Sequence, residues 1–427
     1  MRASAPNPPP RGRALAAGGW AFLARTLVGA SGFVRTLVLA RLLSPHDFGV
    51  MASAIVILGA TETFTGTGFE TALIQRRDDV DRFYDSAFTI QALRGVVLAA
   101  LLWVAAPAAA AFFRAPDLVP VLRAIGLLLV LRGLANPAKV RLFRDLRYET
   151  LFWWTLPEVV VSLGLAIVLG ILLRNVWALV IPIIASQAVA TVVSHIIARR
   201  RPRLALDWMR LREIARYSKW VLATQIVTFL SVQGDNAFVG RVLGIGPLGF
   251  YQVAFRIAEL PVTGLTQVVN QVALPSLSAL HDERSRLKSW YFAALRLVLL
   301  AHGAFAALVV LFGAPITRVV LGARWMPIVP ALKILAVAMV LRSVVVLAGT
   351  LFNALGEPRL TYRLHAVRLG IMAVTIYPLS RLLGLEGVST AVLLGLLGAM
   401  VLCLWTARTA LGVGLMDQLR QLIPVRR

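Results

Sequence analysis

Apolar residues run in stretches of about twenty along almost the whole chain, separated by short polar segments. A helix of that length spans the ~30 Å hydrocarbon core of a bilayer. Such runs predict twelve helices, at about 14–39, 48–74, 84–113, 118–138, 151–173, 176–198, 217–238, 248–276, 290–312, 328–352, 364–380 and 387–407. The expected fold class is all-α, a polytopic membrane protein. Residues 1–13, rich in proline and arginine, read as a disordered tail. Arg25 and Arg35 interrupt the run that follows, and no small-residue cleavage site ends it, so it reads as the first transmembrane helix rather than a signal peptide.

Polar residues inside the runs keep the helix period. Gln252, Arg256, Glu259, Thr263, Thr266, Gln267 and Asn270 step by three or four, which puts them on one face of the eighth predicted helix. Thr224, Thr228, Ser231 and Asp235 make a similar stripe on the seventh, and Glu62, Gly66 and Glu70 repeat by four on the second. Polar stripes on apolar helices mark a cavity, a pairing partner or a packing seam.

The pattern also repeats. Phe238 to Ala254 aligns without a gap on Val38 to Ala54, so that Arg41 matches Arg241, Leu43 matches Leu243, and Gly49 matches Gly249. Val119 to Arg123 matches Val329 to Lys333, and Leu131-Arg132 matches Leu341-Arg342. Two halves of six helices each are expected, residues 14–200 and 217–411, joined by a basic cytoplasmic linker at 201–216 and followed by a cytoplasmic tail at 412–427. An even helix count makes the halves parallel repeats, and transporters built so hold substrate in a central cavity between them.

Composition narrows the class further. The chain has 427 residues, 59% hydrophobic and 15% charged, with a formal net charge of +24. In a soluble protein that surplus would suggest nucleic acid; here the basic residues flank apolar runs, which is a topology signal, and no nucleic-acid partner is expected. The loops that alternate from the amino-terminal tail hold most of the Lys and Arg, and the six loops between them hold one or two each. Both termini are therefore expected in the cytoplasm. Cys403 is the only cysteine, which rules out an intrachain disulfide. No two of the five histidines have metal-ligand spacing, and no nucleotide-binding or nucleophile motif occurs, so neither an enzyme nor a cofactor is expected.

Several of these segments carry a family resemblance. Arg41-Leu-Leu-Ser-Pro-His-Asp-Phe-Gly49, Ala72 to Arg76, Asp235-Asn236 before Gly240-Arg241, Leu248-Gly-Phe-Tyr251 with Ala254 to Ala258, Pro275 to Ser278, and Val176 to Val180 together resemble the polysaccharide-type (Wzx/WzxC-like) flippases. That group shares a superfamily with multidrug extruders and the lipid II flippase. The resemblance covers about residues 14–411. It implies translocation of an undecaprenyl-diphosphate-linked oligosaccharide across a bacterial inner membrane by alternating access, for exopolysaccharide, capsule or O-antigen synthesis, with membrane lipid, a polymerase and glycosyltransferases as partners. A multidrug extruder and a non-transporting scaffold are the alternatives. An extruder of cationic drugs would favour acidic and aromatic cavity residues, whereas these stripes lean on arginine.

A diphosphate needs cations and a glycan needs polar neighbours in a wet cavity. Basic residues inside the predicted spans are Arg25, Arg35, Arg94, Arg123, Arg132, Arg256, Arg296, Lys333, Arg342 and Arg368. Those near helix ends, such as Arg123, read as snorkelling side chains. By the resemblance, the first and eighth helices flank the cavity, which makes Arg25, Arg35 and Arg256, with Gln252, Glu259 and Asn270, the candidate substrate-binding residues. Asp235, Glu62 and Glu70 are candidates for gating or ion coupling. Arg35 falls on Asp235 at the two-hundred-residue offset, which suggests a salt bridge that closes the external side.

Overall fold

The computed structural model describes residues 11–65, 80–138, 142, 147–198, 202–203, 208–262 and 284–411. Twelve α-helices are described: α1 Arg11–Leu42, α2 Pro45–Phe64, α3 Val80–Phe113, α4 Leu118–Gly133, α5 Tyr148–Leu173, α6 Trp177–Ile197, α7 Trp208–Val242, α8 Ile245–Ala258, α9 Arg284–Val320, α10 Val329–Ala354, α11 Pro358–Leu383 and α12 Leu385–Leu411. A 3₁₀ turn, Ala323–Ile328, precedes α10, and no strand occurs among the described residues. The expected all-α polytopic fold is the one observed. Among the described residues, nine helices are long and apolar enough to cross a membrane. Outward-facing side chains such as Val104, Val374 and Leu382, each at least three-quarters exposed, make the greasy belt that a bilayer requires.

α7 starts earlier than the apolar run does. It begins at Trp208, so the second half of the basic stretch expected as a linker forms its first turns. Hydropathy locates where a helix enters hydrocarbon, and nothing in it stops the helix from extending into the headgroup layer. Pro107, Pro157, Pro182, Pro315 and Pro378 sit inside helices, each removing one backbone hydrogen bond that membrane helices tolerate through their neighbours.

The chain divides into two compact units. One comprises Met1–Leu42, Gly66–Ala106 and Pro120–Lys219; the other comprises Leu43–Thr65, Pro107–Val119 and Trp220–Arg427. In the first, α5 packs on α1 and α6, and polar ties gather where α3 begins and α4 and α6 end. The Tyr84 hydroxyl donates to Asn136 Oδ1, the Asn136 amide donates to Ser194 Oγ at 2.9 Å, and Thr191 Oγ1 donates to the Leu131 carbonyl at 2.9 Å.

The second unit is organised about a junction of α2 with α8, and here the repeat becomes geometry. Ser44 caps α2 with Asp47 in a reciprocal box: Ser44 N–H donates to Asp47 Oδ2 at 2.9 Å and Asp47 N–H to Ser44 Oγ at 3.3 Å. At the equivalent place before α8, Gly244 takes φ +104°, a conformation that favours glycine. A Cβ on Gly49 would lie on the Ile245 carbonyl, and a Cβ on Gly249 would lie on the Pro45 carbonyl. Residue 49 therefore meets 245 as 249 meets 45, a contact with the reciprocity of a two-fold axis. Trp325, fully buried in the 3₁₀ turn, stands edge-on between Phe48 at 5.4 Å and Phe250 at 5.7 Å. Arg241 donates to the Phe112 carbonyl at 2.7 Å, and His46 meets Asp117 at 2.6 Å. One end of α2 and α8 is thus closed by backbone contact and an aromatic plug.

Candidate functional site

Deeper along α7 in the same unit, the polar stripe turns inward. Ser231 and Asp235 have no exposed surface, and Thr228 one turn away is half-buried. The 3.6-residue period aligns them, and the closeness of α8 brings Tyr251 to the carboxylate. Tyr251 Oη donates to Asp235 Oδ2 at 2.7 Å, and the Asn236 backbone N–H donates to Oδ1 at 2.8 Å. The Asn236 side chain is occupied in turn, donating from Nδ2 to Gln233 Oε1 at 2.8 Å.

Opposite charge reaches Asp235 from α11 and α10. Arg368 is 3% exposed, and it and Arg342 act electrostatically on the carboxylate. The Arg368 guanidinium is incompletely satisfied: its Nε and Nη2 are buried and find no hydrogen-bond partner, as is true of Nδ1 of His365 one turn before it. A buried guanidinium is costly unless opposite charge compensates it, and Asp235 and Glu259 supply that charge. α12 holds α11 closely here, since a Cβ at Gly395 would come within 2.8 Å of the Arg368 carbonyl.

Nearer the surface, Glu259 at the end of α8 accepts from Arg342 across a 2.7 Å ion pair, with the two side chains 26% and 15% exposed. Arg342 also lies over the Phe255 ring at 5.8 Å, and Glu259 acts electrostatically on Arg256, one turn back on α8. A run of charges therefore passes from Arg256 through Glu259 and Arg342 to Arg368 and Asp235. Three guanidinium groups face two carboxylates, so the cluster carries a surplus of positive charge and of N–H donors. Such a surface can receive an anion by charge-assisted, bidentate hydrogen bonds.

The residues singled out in the sequence are distributed unevenly around this cluster. Arg256 and Glu259 belong to it, and Gln252 is half-buried one turn before Arg256 on α8. Asp235 sits at its inner end. Arg25 is exposed on α1, and Arg35, half-buried on the same helix, donates from Nη1 to Ser162 Oγ on α5 at 2.7 Å. The Asp235 carboxylate takes its hydrogen bonds from Tyr251 and Asn236. Glu62 is half-buried near the end of α2, whereas Glu70, Thr263, Thr266, Gln267 and Asn270 lie outside the described residues.

Sequence reasoning assigned no role to Tyr251, Arg342 or Arg368. The signal for Arg342 was present, since it interrupts its apolar run well away from the ends; Arg368 lies four residues into the expected run 364–380, and only the earlier start of α11 at Pro358 places it well inside a helix. Tyr251 stands in the Leu248–Tyr251 motif, but only its position opposite Asp235 gives it a role.

The profile of a family described as polysaccharide biosynthesis proteins matches residues 38–330, more than half of the chain. This chain belongs to that family. It is 21% identical over 378 residues to the lipopolysaccharide biosynthesis protein WzxC of Escherichia coli (strain K12), covering 88% of this chain and 77% of WzxC. To the succinoglycan biosynthesis transport protein ExoT of Rhizobium meliloti (strain 1021) it is 25% identical over 322 residues, covering 75% and 65%. Among solved structures, the lipid II flippase MurJ in an inward closed conformation superposes with a TM-score of 0.77 at 14% identity, over 95% of this chain and 90% of MurJ. An inward-facing multidrug resistance MATE transporter of the MOP superfamily gives 0.70 at 16%, over 91% and 94%. At those identities the likeness is one of fold, and the fold is that of membrane transporters. The resemblance read from Arg41 to Gly49 and the other motifs is the family found.

Proposed function

We propose that this polysaccharide biosynthesis protein translocates an undecaprenyl-diphosphate-linked oligosaccharide across the bacterial inner membrane, by alternating access. The observation that carries the reading is the charge cluster of Arg256, Glu259, Arg342, Arg368 and Asp235 inside an otherwise apolar helical unit. Charged groups at membrane depth are expensive and persist where a polar cargo needs them. A guanidinium surplus suits a diphosphate, and the exposed apolar belt leaves a polyprenyl tail free to remain in lipid. Arg256 supplies cationic contact in this reading and Gln252 hydrogen-bonds the polar head, with Arg25, Arg35 and Asn270 as further substrate-binding residues. Glu259 orients Arg342. Asp235, Glu62 and Glu70 serve gating or ion coupling, and a polymerase and glycosyltransferases act on either side of the step.

Deleting the gene is expected to leave the lipid-linked oligosaccharide on the cytoplasmic leaflet, where an impermeant probe added outside does not reach it. The wild-type gene restores labelling. Arg256→Ala should not, while Arg256→Lys restores part, because lysine keeps the charge and loses the fork. Normal external labelling in the deletion strain would overturn the reading; drug sensitivity in that strain with normal labelling would favour the multidrug extruder.

Both termini are proposed to be cytoplasmic. A reporter active only in the periplasm should be silent after Arg427 and active when inserted near Arg174, between α5 and α6. The reverse pattern would invert the topology.

A further inference from the structure

The amino-terminal unit contains a groove of about 590 Å³ between α3, α4 and α6. Its walls are Val96, Val104, Leu127, Val130 and Ile184 and its floor is small, with Ala99, Ala100 and Gly126. A Cβ at Gly126 would make ordinary contacts of 3.7 Å with the Ala99 carbonyl and 3.8 Å with Trp103 Cδ1, so larger side chains there would fill the groove. Val96 lies seventeen residues before the end of α3 and Arg123 five residues into α4, and these two helix ends are joined by residues 114–117. At 1.5 Å per residue the groove runs from about 8 to about 26 Å below that end. Its length, about 18 Å, compares with about 15 Å of hydrocarbon in one leaflet.

At the shallow end one charge stands alone among these apolar walls. Arg123 places its guanidinium 5.1 Å over the Trp103 ring, and the Trp103 indole Nε1 donates to the Arg123 carbonyl at 3.2 Å, which ties the two walls together. The guanidinium itself donates no hydrogen bond to protein among the described residues, and Arg123 is exposed. A cation stacked on an aromatic face with its donors unused, about 8 Å from the start of α4, suits a lipid phosphate. Water does not fill an apolar groove at membrane depth, so hydrocarbon must.

We propose that this groove seats one anionic phospholipid, with an acyl chain along Gly126 between α3 and α4 and its phosphate on Arg123. Net charge sets the preference. A zwitterionic lipid offers the same phosphate but carries its own cation beside it. The site is independent of the transport reading.

Native mass spectrometry of the full-length protein in detergent, with phosphatidylglycerol, phosphatidylethanolamine and undecaprenyl phosphate as added probes, tests it. The wild type should retain phosphatidylglycerol severalfold over phosphatidylethanolamine, because the ammonium of the latter offsets the attraction of its phosphate to Arg123. Arg123→Gln, at an exposed position that keeps the fold, should abolish the preference without changing the melting temperature. Gly126→Leu should lower retention of both phospholipids. Should that variant misfold, Gly126→Ala, with room for its Cβ, should lower retention less but in the same direction. Equal preference in wild type and Arg123→Gln, or full retention in the Gly126 variants, overturns the proposal. Displacement of phosphatidylglycerol by equimolar undecaprenyl phosphate also overturns it, by assigning the groove to a polyprenyl chain instead.

Discussion

Asp235→Asn is expected to destabilise the protein by about 3–5 kcal/mol, the scale for leaving a buried charge uncompensated. The carboxylate has no exposed surface and is held by Tyr251 and Asn236, and its charge compensates Arg368, which has two buried N–H groups without partners. An asparagine keeps the shape and an acceptor for Tyr251. It removes the negative charge, leaving Arg368 and Arg342 to repel each other across the interior. Tyr251→Phe should cost less, about 1.5–3 kcal/mol, because it deletes one hydrogen bond to a charged acceptor and no charge. Combining Asp235→Asn with Arg368→Met should recover most of the loss, since both costly groups are then gone. Thermal unfolding of the four proteins in one detergent decides this. An Asp235→Asn melting curve that overlays the wild type, or a double variant no better than the single, would show that Arg368 finds its compensation elsewhere.

Gly249→Leu should open the end of the carboxy-terminal unit where α2 and α8 meet. The first atom added would fall on the Pro45 carbonyl, and backbone cannot rotate away as a side-chain tip can. Overpacking of a close contact costs about 1–3 kcal/mol even where side chains can shift, so α8 is expected to separate from α2 there. Gly49→Leu should do the same, because its Cβ meets the Ile245 carbonyl in the equivalent geometry. Ser53, fully buried one turn further along α2 and donating to the Gly49 carbonyl at 3.0 Å, reports on it. With Ser53→Cys as the only reactive thiol, in a Cys403→Ser background, maleimide labelling from outside should rise severalfold in either glycine variant. Labelling unchanged in both would mean that this junction bends without parting.

Much of the architecture was legible in the residues because it rests on local physics. A span is a run of apolar side chains as long as the bilayer is thick, and most helices begin and end within a few residues of those runs, whereas α7 starts nine residues early, α9 overruns its run by six and eight residues, α11 starts six early, and α2 and α8 end at Phe64 and Ala258, short of 74 and 276. Helical period alone put Ser231 in line with Asp235, and Arg256 in line with Glu259. The two-hundred-residue repeat paired Gly49 with Gly249, and symmetry requires that such positions be used alike; the reciprocal contact with Ile245 and Pro45 follows. The family was legible for the same reason, since two of its motifs, Arg41–Gly49 and Leu248–Tyr251, lie at these turns and caps, while Ala72–Arg76 and Pro275–Ser278 lie outside the described residues.

Tertiary structure alone decided which charges meet. Arg35 donates to Ser162 on α5, and Asp235 accepts from Tyr251 on α8. Arg342 pairs with Glu259 from a helix more than eighty residues away, and Arg368 lies buried within electrostatic reach of Asp235 from farther still. A partner on another helix depends on which helices are neighbours and how each is rotated about its axis. Helices that are apolar nearly all round, as membrane helices are, carry too weak a moment to report that rotation from the sequence, and it is set only when the side chains pack.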